Sequence, residues 1–280
     1  MRTTPRRLLA TLRATLAWIA PAIVGALTGL MLVRRCVPSA ALEASANAAG
    51  NYLQALGTIY AVLLAFVVFV VWQQFNDARA NVEREANELV DLARTAKGLP
   101  VEVRGPLHAQ IDRYVALVVG GEWDAMAARD ADCFVEGAVV LDRIWDVLVA
   151  YEPRSACHAS LYDEALARFN DLSDTRTARI SSSMLRIPLA LRLLLYSGAI
   201  MTVSSMYLLA VPSAIVHALM TGAMAGAIAH LLYVIGDLDD AFAGEWNVAR
   251  DPFLRVRRHC TAVQSPGTGS SASGETPNVT

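Results

Sequence analysis

Four long apolar segments constrain this chain more than any other feature of its sequence. Each has roughly 18 residues or more, which is enough for a helix to cross a bilayer. Lipid offers no hydrogen-bonding partners, so a spanning segment must satisfy its backbone internally and is expected to be helical. We therefore predict an all-α integral membrane protein with four transmembrane helices. They cover about Leu16–Val33, Tyr52–Trp72, Ile187–Val211 and Ala214–Ile235.

Composition narrows the class of function further. Apolar residues make up 55% of the 280 residues and charged residues 18%, a balance that soluble domains rarely have. The net charge of −2 provides no general positive field, so we expect no nucleic-acid partner. The Cys157–His158 and His259–Cys260 pairs lack further ligands, and no nucleotide loop, zinc-protease motif or nucleophile elbow occurs. We predict no catalytic residue, no cofactor, no metal site and no enzymatic activity.

The first apolar segment fits two interpretations. Basic residues precede it, as in a signal peptide, but its length exceeds the usual 7–15-residue apolar core of such a peptide. Arg34 and Arg35 close it without a small-residue cleavage site before them. We expect it to be retained as a spanning helix.

Arginines near the spans predict the orientation. Basic loops stay on the cytoplasmic side, and the N-terminal flank and the tail are rich in arginine, whereas the connection between the third and fourth spans has none. This places both termini in the cytoplasm of a multi-pass protein of the inner (plasma) membrane. Arg34 and Arg35 then lie outside, against the general trend. The arginines that set the orientation are Arg2, Arg6, Arg7, Arg13, Arg250, Arg255, Arg257 and Arg258.

The segment between the second and third spans is predicted to be a cytoplasmic helical domain. It is more acidic than basic and has few helix-breaking residues, and its first helix continues the second span. Phe75, Val82, Leu89 and Ala96 recur every seven residues along that helix, typical of packing against neighbouring helices or of an ordinary buried face. Further helices are expected at about Gly105–Gly120, Cys133–Tyr151 and His158–Ser183.

The resulting organisation has five parts. Residues 1–72 hold the N-terminal flank and the first two spans, and residues 73–186 form the cytoplasmic helical domain. Residues 187–236 form a transmembrane hairpin, residues 237–264 a cytoplasmic tail segment, and residues 265–280 a polar tail expected to be disordered.

The fourth span contains small residues and two histidines. Gly222 and Gly226 are four residues apart, a spacing that lets helices approach closely in lipid. His217 and His230 are 13 residues apart, roughly 20 Å along a helix, so they cannot share one ligand. We expect each to be a hydrogen-bonded structural histidine.

Short motifs around the second span carry a family resemblance. Leu56-Gly57, Phe66, Trp72 and Ala78-Arg79 have the spacing of the pore helix of the bestrophin family of anion channels. The chain also resembles, more closely, a bacterial family described as bestrophin-like, a domain of unknown function. That resemblance covers roughly residues 50–255. Its other motif residues are Tyr114, Glu122, Trp123 and Met126, followed by Asp239, Phe242 and Gly244 after the last span.

The resemblance implies a function and a site. Bestrophins are homo-oligomers, pentamers in the known cases, that pass chloride and other small anions through a hydrophobic neck. The corresponding neck here is Thr58, Val62 and Phe66, with Phe66 as the narrowest ring. A ring of apolar side chains can gate by expelling water. Besides the bilayer, the implied partners are further copies of the chain and small anions.

Departures from the bestrophin pattern keep an alternative open. Val67 and Val68 replace the Arg and Asn that follow the pore Phe, and Ala241 stands where a proline is expected. The acidic cluster used for calcium in animal bestrophins is missing after Gly244, so calcium gating is not implied. The alternative is a non-conducting membrane sensor or scaffold whose helical domain binds a protein partner. The proposed neck residues would then be lipid-facing or core residues.

Overall fold

The computed structural model of the chain describes residues 5–264, with the side chains of 5–12, 131–132 and 259–264 excluded. The tail predicted to be disordered, 265–280, lies outside this description. Every regular element within residues 5–264 is helical, which confirms the all-α prediction. Four helical stretches are long and apolar enough to span a membrane, also as predicted. They are Arg13–Cys36, Ala46–Gly98, Ala156–Met206 and Ala214–Leu238.

The helices follow one another in simple order. A π-helical turn at Val118–Glu122 joins α4 to α5, and short 3₁₀ turns lie at Ala96–Gly98 and Ala131–Phe134. The α-helices are α1 (Pro5–Cys36), α2 (Ser39–Ala44), α3 (Ala46–Thr95), α4 (Val101–Leu117), α5 (Trp123–Ala128), α6 (Val135–Val149), α7 (Ala156–Met184), α8 (Leu189–Met206), α9 (Ala214–Leu238) and α10 (Asp251–Gln264).

The described chain divides into two compact units. The membrane unit contains the residues up to 81, residues 126–130 and residues 178–248. The polar unit contains residues 82–125, residues 131–177 and the residues from 249 onward. Both α3 and α7 contribute residues to each unit.

In the membrane unit, α1 packs along α9. A Cβ on Gly226 would lie 3.2 Å from the Ile23 side chain, and one on Gly222 would lie 3.7 Å from it. The small residues of α9 thus let α1 approach closely, as their spacing predicts. Helix α3 is bonded to α8, because the buried Tyr60 hydroxyl donates to the Leu195 carbonyl at 2.9 Å.

The polar unit has a conventional apolar core. Leu89 and Leu92 from α3 are fully buried, as are Leu107 from α4, Ile144 from α6 and Leu172 from α7. All members of the predicted heptad stripe of α3 are buried, from Phe75 at 9% exposure to Ala96 at 0%. Their burial is consistent with both interpretations of the stripe.

The end of α8 and the presence of α10 differ from the sequence expectations. Helix α8 ends at Met206 rather than near Val211, so the connection to α9 covers residues 207–213 and is longer than a tight hairpin turn. Helix α10 was not predicted, because its buried residues Phe253 and Val256 stand within a strongly basic run. The preceding segment 239–250 is irregular, apart from the turn at Gly244.

Candidate functional site

The predicted neck residues occupy one uncovered face of α3. Val62 is 66% exposed and Phe66 is 62% exposed, and Thr58 is exposed as well. Phe69, at 61%, lies on the same face, because residues three and four apart are neighbours on a helix. The Thr58 hydroxyl donates to the Gln54 carbonyl of its own helix at 2.8 Å. The structure therefore brings the three residues to a common surface that its own chain leaves open.

The opposite face of α3 holds the helix in place. Tyr60, Leu64, Val67 and Val71 are each at most 6% exposed, one turn after another. The aromatic ring of Tyr60 lies against Gly198 of α8, where a Cβ would approach to 2.6 Å and collide with it. Val67, which replaces the bestrophin arginine, is therefore a core residue of this chain.

The Leu56-Gly57 motif lies at the margin of the uncovered face. Both residues are half-buried, and a Cβ on Gly57 would meet nothing within 4 Å. Gly50 is likewise open and lies seven residues earlier, which places it on the same side of the helix. Neither glycine is needed for a close approach within this chain.

Trp72 anchors an aromatic group at the end of the apolar stretch. Its ring stacks on Phe75, with centroids 6.1 Å apart, and meets Trp246 edge-on at 6.5 Å. Trp246 follows Gly244 in the tail, so the motif residue Trp72 lies against the tail segment within the membrane unit.

The Ala78-Arg79 pair separates into a core residue and a surface residue. Ala78 is fully buried, whereas Asp77 and Arg79 are exposed. In the described part of the chain neither Asp77 nor Arg79 has an ion-pair partner.

Glu122 and Trp123 lie in the polar unit and serve different contacts. The π-helical turn at Val118–Glu122 directs the Glu122 carboxylate to Arg176, which it contacts at 2.7 and 3.0 Å. Both side chains are at most 5% exposed. Trp123 is buried and meets Phe253 of α10 edge-on, with centroids 6.1 Å apart.

A second carboxylate extends this buried network. The Arg176 guanidinium also donates to the Tyr114 hydroxyl at 3.1 Å and lies over its ring, and Tyr114 in turn donates to Glu85 in a short hydrogen bond. Glu85 is fully buried on α3. Sequence reasoning missed Glu85 and Arg176, because both lie in helical stretches where exposed charges are frequent. Gly137 leaves room for the network, since a Cβ there would collide with Glu122 and Arg176.

Asp239 links the end of α9 to the start of α8. One carboxylate oxygen accepts from the Ile187 amide at 2.7 Å, and the other accepts from Arg192 at 2.9 Å. Arg192, near the start of α8, is thereby tied to the end of α9. Asp239 is 7% exposed, so the pair is partly buried.

Asp240 forms a second clamp with two arginines. Arg129 contacts it at 2.9 Å and Arg186 at 2.7 Å. Burial raises the pKa of Asp240, but the hydrogen bonds and charges of Arg129 and Arg186 outweigh it, and the net pKa lies below the ordinary value of 3.8. Asp240 thus joins the segment after α9 to arginines from two other parts of the membrane unit.

Gly244 is the turn residue of the tail motif. Its φ of +79° is a conformation that side chains disfavour, and a Cβ would lie 2.3 Å from the Asp237 carboxylate. Asp237 accepts from the amides of Glu245 and Trp246 at 3.0 and 2.9 Å. Phe242 is buried at 3% exposure, so the motif residues Asp239, Phe242 and Gly244 form one folded turn.

The fold and these contacts define a polytopic helical membrane protein whose second spanning helix continues into a polar helical unit. The chain matches the Bestrophin-like domain family over residues 20–253, and it belongs to that family. The resemblance to the bestrophin-like family is thereby confirmed.

Solved structures have the same fold. A variant of a bacterial bestrophin homologue from Klebsiella pneumoniae is 11% identical, with a TM-score of 0.69, covering 89% of this chain and 99% of that one. A second variant of that homologue is 13% identical, with a TM-score of 0.67, covering 87% and 99%. A crystallised membrane protein with one substitution is 13% identical, with a TM-score of 0.68, covering 89% and 99%. No curated protein matches the sequence.

Proposed function

We propose that this protein is a subunit of a homo-oligomeric anion channel whose neck is formed by Thr58, Val62 and Phe66 of α3. The observation that carries the proposal is the uncovered apolar face of α3, opposite a face that is tightly packed. Family membership supports it, because bestrophin homologues are anion channels.

An uncovered apolar face on a membrane helix can contact lipid or a further copy of the chain. The open glycines favour a further copy, because Gly50 and Gly57 offer a small-residue seam beside the face that carries Val62. Small residues at regular spacing are the usual contact surface between helices in lipid. In a pentamer, copies joined along this seam would place Val62 and Phe66 around the axis.

Phe66 and Phe69 are the two candidates for the narrowest point of the proposed pore. Both are about equally exposed, and they lie within one helical turn of each other. We assign the constriction to Phe66, where the family motif places the pore aromatic. Apolar rings of this kind hinder conduction by excluding water, so their removal should raise flux.

Chloride efflux from liposomes reconstituted with purified protein tests this function. Efflux above that of empty liposomes is expected, with Phe66→Ala increasing it more than Phe69→Ala. Ile200→Ala is the matched control, because Ile200 on α8 is 67% exposed and is not part of the proposed neck. Absent efflux from folded, oriented protein, or equal effects of all three variants, would contradict the proposed neck.

The oligomeric state separates this proposal from the sensor or scaffold alternative. A pentamer in detergent, together with efflux, supports the channel. A monomer or dimer without efflux would favour the non-conducting alternative and direct attention to the polar unit as a partner-binding domain.

The proposed topology, in an inner membrane with both termini and the polar unit cytoplasmic, can be tested with natural cysteines. Cys36 and Cys157 are both exposed free thiols. In single-cysteine variants, a membrane-impermeant thiol reagent added outside right-side-out vesicles should modify Cys36 and spare Cys157 until the vesicles are opened. The reverse pattern would overturn the orientation.

A further inference from the structure

The uncovered face of α3 continues one turn beyond its last phenylalanine. Gln73 lies four residues after Phe69 and eleven after Val62, about three helical turns, so it is on the same side of the helix as both. Like them, Gln73 is exposed. Asn76 and Ala80, the next residues on that side, are half-buried. Gln73 is therefore the last exposed residue of this face within the membrane unit.

Gln73 is also the first polar side chain on this face after Thr58. Between these two positions, only Tyr60 and Trp72 carry a polar side-chain atom. Tyr60 is buried on the opposite side of the helix. Trp72 lies about 100° around the helix axis from Gln73, and its ring contacts Trp246. An ion that moves along this face therefore meets no hydrogen-bonding side chain between Thr58 and Gln73.

The chemistry of the Gln73 side chain suits transient contact with an ion. Its amide has no hydrogen-bond partner among the residues that the structure describes, and it is exposed. A primary amide has two N–H donors and one carbonyl acceptor, and it carries no net charge. Its donors can therefore contact an anion without holding it by charge. A conducting site needs this balance, because an ion that enters must also leave.

Two charged residues follow Gln73 on α3, and they differ in position. Asp77 is exposed one turn later, about 40° further around the helix axis. Arg79 is exposed about 120° away from Gln73, outside the face that carries Val62. Asp77 would repel an anion near Gln73, so it is the competing candidate for control of ion preference.

We propose that Gln73 is the specificity-determining residue at this end of the neck, and that its amide N–H groups give an anion leaving the Phe66 ring its first hydrogen bonds from the protein. The apolar side chains of Val62 and Phe66 have no donor to offer. In a homo-oligomer, each copy contributes one such amide around the axis. This inference rests on the proposed channel function and adds to it the group that contacts the ion. The ion is a small monovalent anion such as chloride.

Current recordings from purified protein in planar bilayers test the role of Gln73. The reversal potential in a sodium chloride gradient gives the ratio of chloride to sodium permeability, which does not depend on how many channels have folded. Gln73→Glu removes the N–H donors and adds a negative charge, so it should shift this ratio about tenfold towards sodium. An effect on protein stability alone would not move the ratio.

Gln73→Leu tests the hydrogen bonds without a change of charge. It keeps a side chain of similar size but lengthens the apolar neck by one turn, so the single-channel chloride conductance should fall about tenfold, the scale of one lost hydrogen bond. Gln73→Asn retains an amide and should preserve the permeability ratio of the parent protein. If Gln73→Leu fails to assemble, as judged by elution volume, Gln73→Ala removes the same donors with a smaller side chain and should also lower the conductance.

Gln74 provides the matched control. It is the same residue type at the next position, but it is half-buried and lies about 100° around the helix axis from Gln73. Gln74→Glu and Gln74→Leu should therefore keep the permeability ratio and the conductance of the parent protein. Equal effects at the two positions would contradict a specific role for Gln73.

The outcomes separate this inference from the proposed function. If Phe66→Ala raises chloride flux but Gln73→Glu leaves the permeability ratio unchanged, the neck stands and the role of Gln73 is wrong. If Asp77→Asn changes the ratio and Gln73→Glu does not, Asp77 controls ion preference and the inference is again wrong. A parent protein that carries no chloride current would overturn the proposed function and this inference together.

Discussion

The two halves of α3 differ in the side chains that they leave exposed. In the membrane unit, large apolar side chains such as Ile59, Val62 and Phe66 point outward and are more than 60% exposed. In the polar unit, Leu89 and Leu92 of the same helix are completely buried. Within its 50 residues, this one helix thus exposes large apolar side chains in its first half and buries them in its second.

The difference is one of solvent. In water, apolar side chains must be buried to gain stability, whereas in lipid they can face outward without cost. Charges follow the complementary rule, because the polar unit buries Glu122 and Arg176 only as a bonded pair. Substitutions that remove a buried charge partner, a buried apolar side chain or a turn residue should therefore have unequal effects, in the following order.

Arg176→Met should have the largest effect. It leaves the buried Glu122 carboxylate without its cation, and breaking a buried pair in this way costs about 3–5 kcal/mol. Thermal or denaturant unfolding in detergent measures the loss. Arg168→Met, on the same helix but with a partly exposed ion pair to Glu88, should change stability much less. Comparable losses for the two variants would show that burial of the pair is not decisive.

Leu92→Ala directly tests the expectation that burial of apolar side chains away from water stabilises the polar unit. Leu92 is fully buried in the polar unit, and truncation at such a site costs about 2–5 kcal/mol. Leu64→Ala removes the same atoms from a buried site of the membrane unit and should cost less, because the unfolded segment stays among detergent tails rather than in water. If Leu64→Ala lost as much stability as Leu92→Ala, or more, the expected difference between the two units would be wrong.

Gly244→Ala should have a smaller, local effect. Alanine at a φ of +79° with its Cβ against Asp237 costs about 1–3 kcal/mol. Faster hydrogen exchange at the amides of Glu245 and Trp246 would report the opened turn. Gly236→Ala is the control, since a Cβ there meets nothing within 4 Å, and its exchange should match that of the parent protein.

The smallest expected effect is the weakening by acid of the Asp240 ion pairs with Arg129 and Arg186. Because the pKa of Asp240 is lowered in the folded protein, its contribution to stability is present above the unfolded value of about 3.8 and is lost as pH falls through the lower folded value. Proteolysis or hydrogen exchange of the tail should therefore increase only below about pH 3.8. Asp240→Asn should remove this step, and an unchanged acid response in that variant would assign it to other carboxylates.

Much of the fold could be predicted from the sequence because bilayer physics is strict. The apolar lengths of Tyr52–Trp72 and Ala214–Ile235 gave spans that the structure places inside longer helices. The stripe from Phe75 to Ala96 correctly predicted the buried face of α3. These signals depend on many residues at once, so no single exception obscures them.

Contacts between distant residues could not be predicted in the same way. Glu85 and Arg176 are 91 positions apart, and nothing local distinguishes them from neighbouring solvated charges. Glu122 was identified only through a family motif, without its partner. The neck residues Thr58, Val62 and Phe66 remain predictions, because lipid or a further copy of the chain could each cover their face.

The π-helical turn at Val118–Glu122 has a consequence for how this chain tolerates insertions and deletions. Such a turn contains one residue more than a regular α-helix needs. Deleting Gly120 would restore a uniform helix, yet it would rotate every later side chain by roughly 100° about the helix axis. Glu122 would then no longer contact Arg176, and Trp123 would no longer contact Phe253. The chain length between Tyr114 and Trp123 is thus as constrained as any side chain in the network.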